Sequence, residues 1–296
     1  MLPWLSSPLR RRPVAWFYGL TCLISWTGAL LVAAPALLRH EPVSQFTGLL
    51  MFPAMLFGPP LSGILLTAFL EGRAGLRVLL ASLSPRRLMM RSAVLLFLPP
   101  ALIFVVLTVI SRLASPIFAP NLFLLGFFFG FPAGLLEEVG WTGFAYPHLC
   151  AGQSRFRASI QLGLLWSCWH LPVINYLGAV SPHGQWWPAY FLAFALAMTA
   201  MRVLIGWMVS ESNSLLVAQM MHISSTGSLV VLSPPRVSAA QEALWYAVYG
   251  VLLWCVVLAG GFSLGRWRKG RRSGEALARQ AFKLWLSAAR GGSALR

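Results

Sequence analysis

The chain has 296 residues, of which 58% are hydrophobic and only 10% are charged. Soluble globular domains carry about 25% charged residues, so the composition excludes an ordinary soluble domain. All seven acidic residues are Glu, against 23 Lys and Arg, which gives a net charge of +16. With no Asp in the chain, an aspartyl protease, a Ser-His-Asp triad and an Asp-based metal loop are also excluded.

Eight apolar segments follow one another along the chain, and a membrane-spanning helix needs about 20 mostly apolar residues. We predict spans at 14–38, 49–70, 93–111, 121–146, 158–177, 187–209, 214–232 and 243–265. The predicted fold class is therefore all-α, a polytopic membrane helix bundle of about eight transmembrane helices that forms a single domain over residues 1–296. We expect it in the cell (plasma or inner) membrane as a multi-pass protein.

The basic residues are distributed unevenly between the two sides of this arrangement. If the N-terminus is cytoplasmic, most of the 23 Lys and Arg fall in cytoplasmic segments, whereas Arg202 lies inside the sixth span. This bias follows the positive-inside rule and predicts that both termini are cytoplasmic. It also accounts for the positive charge without nucleic acid, which we do not expect as a partner. Residues 266–296 are predicted to be a basic cytoplasmic tail that contacts anionic lipids.

Two neighbouring carboxylates, Glu137 and Glu138, lie within the fourth predicted span. A carboxylate near the centre of a bilayer costs at least about 2.5–3.5 kcal/mol on insertion scales, and adjacent carboxylates also repel each other. Folding a helical bundle does not require such a pair, so we interpret it as functional. The alternative is that the pair lies at the membrane interface and reaches water.

Two histidines have a similar character, His170 in the fifth predicted span and His222 in the seventh. Either one alone is more often a hydrogen-bonded member of a bundle than a catalytic group. At a rise of about 1.5 Å per residue, however, both lie at a depth compatible with that of Glu137, in the cytoplasmic half of the membrane. A Glu and two His in one wet cavity can activate a water and stabilise an oxyanion.

Other patterns of catalytic residues are weaker. The segment 261–265 matches the GxSxG of serine hydrolases, but we predict that it ends an apolar helix, whereas that motif follows a strand. HExxH, a Walker A loop and GxGxxG are absent from the sequence. The remaining histidines are expected to be solvated in or near loops: His40, His148 and His183.

The motifs around the carboxylates and histidines resemble those of the CAAX protease and bacteriocin-processing (CPBP) family of intramembrane proteases. The matches to the EExxxR, FxxxH and HxxxN motifs of that family are Glu137-Glu138-Val-Gly-Trp-Thr142, Trp166-Ser-Cys-Trp-His170 and His222-Ile-Ser-Ser-Thr226. The resemblance covers roughly residues 50–232, which we predict to be a CAAX protease-like catalytic core.

Three positions depart from the pattern of the family. Thr142 stands in place of an Arg that is expected to pair with the second Glu, and Thr226 in place of an Asn expected beside the second His; Trp166 replaces Phe. Thr retains a hydroxyl but lacks the charge of Arg and the reach of Asn. We therefore expect Glu138 to lack its usual partner.

The resemblance implies an intramembrane, glutamate-dependent endopeptidase that acts on a membrane-embedded or lipid-associated peptide or protein. Glu137 would be the general base on a water, assisted by His170, and His222 with Thr226 would donate to the oxyanion. Glu138 would position the site. No cofactor is expected; the alternative within the enzyme class is a zinc protease in which Glu137, His170 and His222 bind the metal.

An alternative of a different class is a non-catalytic membrane protein of the same fold, such as an immunity factor, a scaffold or a carrier. The missing Arg and Asn favour this alternative. The intact set of Glu137, His170 and His222 favours the protease.

Overall fold

The computed structural model of the protein describes residues 9–83, 94–174 and 182–263. Within these ranges the chain is helical and contains no strand, which confirms the all-α fold class. The predicted basic tail at 266–296 lies outside the described residues. The GxSxG pattern is described only as far as Ser263, which is helical; the predicted helix end at this pattern is not tested by the described residues.

The helices are numbered here in chain order through the described ranges. They are α1 (Pro13–Leu38), α2 (Gln45–Met55), α3 (Gly58–Ala81), α4 (Leu98–Leu113), α5 (Phe127–Gly140), α6 (Tyr146–Gly152), α7 (Arg155–Trp169), α8 (Leu171–Ile174), α9 (Trp187–Ser212), α10 (Leu215–Leu232) and α11 (Ala239–Ser263). A π-helical turn, Trp141–Ala145, joins α5 to α6. Short 3₁₀ turns lie at Pro116–Phe118, Leu124–Gly126 and Gly184–Trp186.

Several helices are long and apolar enough to cross a membrane. By length and composition, five stretches of the described chain qualify: Pro13–Leu38, Phe46–Ala81, Gly184–Ser212, Leu215–Leu232 and Ala239–Gly261. Large apolar side chains such as Leu23 and Phe128 are exposed on the outer surface, as lipid contact requires. The chain is therefore a multi-pass membrane protein, while eight spans and two cytoplasmic termini stay predictions.

Proline interrupts two of the predicted spans. The segment 49–70 is divided between α2 and α3, because Pro59 and Pro60 lack the N–H that would continue the preceding helix and are suited to the first turn of a new one. The segment 158–177 is divided in the same way, since α7 ends at Trp169, three residues before Pro172. Composition predicted the apolar length of these segments but not the breaks within them.

Glycines allow α5 to pack closely against α10, one of the most extensive helix contacts in the described chain. A Cβ added to Gly130 would lie 2.5 Å from the backbone nitrogen of Gly227, and one added to Gly134 would lie 2.7 Å from that of Ile223. This is the small-residue packing expected between membrane helices. Contacts also join α9 to α7 and to α10, so α5, α7, α9 and α10 enclose a common interior.

Candidate active site

The two adjacent carboxylates lie in the last turn of α5, just before the π-helical turn. Glu137 and Glu138 are both completely buried. Neighbouring residues on a helix are about 100° apart, so the two carboxylates point toward different partners. Single π-helical turns inside helices are frequent at functional sites, and here the turn begins three residues after Glu138.

The two carboxylate oxygens of Glu137 differ in their hydrogen bonding to the described part of the chain. The indole N–H of Trp166 donates to Oε2 of Glu137 over 2.9 Å. Its other oxygen, Oε1, is buried and has no hydrogen-bond partner among the described residues. A buried carboxylate oxygen is costly to leave unpaired, so Oε1 is suited to accept a hydrogen bond from a bound water.

Glu138 is fully paired, which contradicts the expectation that it lacks its usual partner. The guanidinium of Arg202, on α9, donates from Nη1 to Oε2 over 2.8 Å. The hydroxyl of Thr142 donates to the same oxygen. The family motif does not reveal this partner, because the motif places its Arg on the helix of the carboxylates. In this chain the Arg comes from another helix. A signal for it was present, since an arginine inside an apolar span needs a partner.

His222, on α10, is bonded to the other oxygen of Glu138. Its Nδ1 lies 2.8 Å from Oε1. Because Arg202 and Thr142 both donate to this carboxylate, Glu138 acts as an acceptor, and Nδ1 of His222 carries the hydrogen. This bond fixes the tautomer and the orientation of the ring and directs Nε2 away from Glu138.

His170 lies at the end of α7, where the helix stops ahead of Pro172. The last carbonyls of a helix lack backbone donors, and the ring of His170 supplies one: its Nδ1 is 2.8 Å from the carbonyl oxygen of Trp166. A carbonyl only accepts, so Nδ1 carries the hydrogen, and in the neutral ring Nε2 is an acceptor. The ring contacts Trp169 and Phe194 edge to face, and His170 is buried.

Trp166 connects these groups to one another. Its ring centroid lies 5.3 Å from that of His170 and 5.0 Å from that of His222, both edge to face. The guanidinium carbon of Arg202 lies 4.3 Å from the Trp166 centroid, within the range of a cation–π interaction. Together with its bond to Glu137, these contacts place four polar side chains around one buried indole. Thr226 lies one turn beyond His222 on α10 and is half-buried.

Two histidines expected to be solvated are instead held by contacts. The His183 side chain is only 10% exposed; its Nε2 lies 3.0 Å from Glu242, and its ring stacks on Tyr190 with centroids 3.8 Å apart. Nδ1 of His148 bonds the carbonyl of Phe144 over 2.7 Å, and its Nε2 lies 3.6 Å from Glu71. Both expectations were wrong, because His148 lies in helix α6 and not in a loop, and because the packing of α9 and α11 around His183 is not visible in composition.

The site offers no ready ligand set for the zinc alternative. Throughout the part of the chain that the structure describes, no group of three or more His, Cys and Glu side chains is arranged to hold a metal ion. In the set considered above, Nδ1 of both histidines is already bonded, to Glu138 and to the Trp166 carbonyl. A metal would have to use Nε2 of each ring after a rearrangement.

Part of the chain that contains this site is similar to known proteins. Residues 119–227 match the family described as type II CAAX prenyl endopeptidase Rce1-like. A curated protein of Methanococcus maripaludis named CAAX prenyl protease 2 is 36% identical over 110 residues, which make up 36% of this chain and 38% of that protein. The chain therefore spans well under half the length of the curated relative that it matches. The segment that is similar to the CAAX protease family, residues 119–227, holds both carboxylates, both histidines and Arg202.

Proposed function

We propose that the protein is an intramembrane endopeptidase that hydrolyses peptide bonds in a membrane-embedded or lipid-associated peptide or protein. The observation that carries the proposal is the arrangement of Glu137, whose Oε1 is buried and has no hydrogen-bond partner within residues 9–83, 94–174 and 182–263. Its Oε2 is anchored by Trp166, which itself contacts both histidines. A carboxylate with one anchored and one open oxygen is well suited to hold a water.

In the proposed reaction, Glu137 is the general base. Oε1 accepts a proton from the bound water, and the water oxygen attacks the carbonyl carbon of the scissile peptide. The C–N bond then breaks, and the same proton passes from Glu137 to the leaving amine. A base must lie within hydrogen-bond reach of the proton it takes, and the bond from Trp166 keeps the carboxylate in one orientation.

His170 assists by orienting the water. Its Nδ1 is engaged by the Trp166 carbonyl, so Nε2 of the neutral ring can accept the second hydrogen of a water bound to Glu137. Two acceptors for the two hydrogens of one water direct its lone pair toward the substrate carbonyl.

His222 stabilises the charge that develops on the carbonyl oxygen. Its Nδ1 is bonded to Glu138. In this proposal Nε2 has taken a proton from bulk water before the substrate binds, so the ring is a cation that donates to the oxyanion and keeps this proton throughout the reaction. Glu138 stabilises that cation, as carboxylates do for other catalytic histidines. Thr226 is proposed to add its hydroxyl beside His222.

The pairing of Glu138 also weakens the case for the non-catalytic alternative. That alternative drew support from the absence of an Arg at position 142, and Arg202 supplies the same charge to the same carboxylate. The relative from Methanococcus maripaludis is named as a prenyl protease, so we propose prenylated peptide tails as the first substrate class to assay.

The test is cleavage of fluorogenic membrane peptides, with and without a prenyl group, by the purified full chain in lipid nanodiscs. We expect Glu137→Gln to lower kcat/KM by about 10²–10⁴-fold, the usual loss on removing a general base. Glu41→Gln, at an exposed Glu paired with Arg39, is the matched control and should cleave like wild type. Equal rates for wild type, Glu137→Gln and His170→Ala would reject the protease.

A further inference from the structure

One buried arginine, Arg202, belongs to none of the motifs by which the site was found. It comes from α9, is only 1% exposed, and reaches the carboxylate next to the proposed base. We infer that Arg202 is a positioning residue that holds Glu138 in the orientation His222 requires, in place of the arginine expected at position 142. The inference rests on the proposed function and identifies a residue that this function needs.

The contacts of Arg202 match those expected of the displaced arginine. Nη1 lies 2.8 Å from Oε2 of Glu138 and 3.4 Å from the hydroxyl of Thr142. The Thr142 hydroxyl donates to that same carboxylate oxygen. Oε1 of Glu138 is thereby left for Nδ1 of His222 alone. The replacement of the family Arg by Thr142 therefore does not leave Glu138 without donors. The Thr142 hydroxyl and the guanidinium from α9 together donate to the carboxylate that one Arg at position 142 would contact.

The packing of α7 against α9 explains how the guanidinium reaches this point. A Cβ added to Gly163, on α7, would lie 2.8 Å from the Cα of Thr199 and 3.2 Å from the Cβ of Arg202. Glycine at 163 thus allows the two helices to approach closely at the level of Arg202. Trp166 lies three residues further along α7, and its ring lies against the guanidinium at 4.3 Å. Trp166, Glu138 and Thr142 therefore surround the guanidinium group.

The geometry also explains why an arginine is suited to position 202 or to position 142, but not to both at once. Thr142 is buried and already bonded to Glu138, so an Arg at 142 would compete with Arg202 for one carboxylate oxygen. Two guanidinium groups beside a single carboxylate would repel each other. Removal of Arg202 would leave the charge of Glu138 unpaired, and an Arg at 142 would then regain a role.

These relationships make a reciprocal experiment decisive. Four proteins are compared by kcat, KM and Tm: wild type, Arg202→Met, Thr142→Arg and the double variant Thr142→Arg/Arg202→Met. We expect Arg202→Met to lower kcat by about 10–100-fold, the usual loss when a partner of a catalytic group is removed, with KM little changed. Thr142→Arg alone should also lower kcat, whereas the double variant should recover most of the loss.

Two further variants separate positioning from stability. Arg202→Lys should retain more activity than Arg202→Met, because Nη1 is the nitrogen that contacts Glu138 and Thr142, while Nε and Nη2 of the buried guanidinium have no hydrogen-bond partner among the described residues. Arg39→Met, which removes an exposed ion pair, is the matched control and should leave kcat unchanged. If Arg202→Met does not fold, Arg202→Lys and the double variant decide the question, since both retain a cation.

The outcomes distinguish this inference from the proposed function. A wild type no more active than Glu137→Gln would reject the protease and the positioning role together. An active wild type matched by a folded Arg202→Met would overturn the inference alone. The inference is also overturned if folded Arg202→Lys and the folded double variant are both as slow as Arg202→Met, because a structural role would then account for the loss.

Discussion

Trp166 donates its indole N–H to Glu137 over 2.9 Å, a bond that the Phe of the family motif could not make. At this position the aromatic ring does more than fill space, because it orients the proposed base. The same ring contacts His170, His222 and Arg202. The substitution of Trp for Phe therefore changes the hydrogen bonding of the site as well as its packing.

The first prediction concerns this bond. Trp166→Phe, which restores the family residue, should leave Glu137 without its donor and destabilise the protein by about 1–3 kcal/mol, the cost of leaving a buried polar group unpaired. We also expect kcat to fall, since the carboxylate is no longer held. Tm and kcat are the measurements.

The matched control for Trp166→Phe is Trp254→Phe. The Trp254 indole also donates to an oxygen, the carbonyl of Leu196 over 3.1 Å, but it is only half-buried and belongs to α11, away from the site. This control should leave kcat unchanged. A Trp166→Phe protein with wild-type kcat would show that the bond to Glu137 is not needed for catalysis.

The second prediction concerns the contact between α5 and α10. Gly130→Ala should destabilise the protein by about 1–3 kcal/mol, the usual cost of overpacking, because the added Cβ would lie 2.5 Å from a backbone nitrogen of α10. The helices that carry Glu137 and His222 would be forced apart, so kcat should fall with Tm. Thermal unfolding in nanodiscs and the cleavage assay measure both effects.

Gly19→Ala is the control for the packing prediction. Nothing lies within 4 Å of a Cβ added at Gly19, and Ala is the better helix former, so this variant should be neutral or slightly stabilising. If Gly130→Ala has the Tm of wild type, the close approach of α5 and α10 is not as tight as described.

The third prediction concerns metal. Under the proposed mechanism, incubation with a chelator should leave kcat/KM unchanged, because Glu137 and His170 activate the water without an ion. Metal content is measured on the same samples. Loss of activity on chelation that only zinc restores would reject the metal-free mechanism in favour of the alternative in which Glu137, His170 and His222 bind zinc.

The fourth prediction concerns topology. Single cysteines at positions 181 and 293, introduced into a cysteine-free background, should be labelled from opposite sides of the membrane, with 293 cytoplasmic. The physical reason is the concentration of Lys and Arg in the segments assigned to the cytoplasm. Labelling of both positions from the same side would contradict the assignment. Position 47, near the start of α2, is a further site that we expect on the outer side.

Some properties of this protein follow from the sequence alone, because their physical cause is local. Long apolar stretches predict membrane helices wherever they occur, and two adjacent Glu inside such a stretch are costly whatever surrounds them. The motifs containing Glu137, His170 and His222 could therefore be recognised along the chain, and the family comparison covers the same segment.

Other properties were decided only by the tertiary structure, because they depend on which helix faces meet. Glu138 and Arg202 are 64 residues apart, and no spacing rule pairs them. They meet because α5, α7 and α9 pack around one interior, where Gly163 lets α7 and α9 approach closely. For the same reason, the bond between Trp166 and Glu137 was not predicted. A charge inside an apolar segment indicates that a partner must exist, whereas the identity of that partner is set by the packing of the bundle.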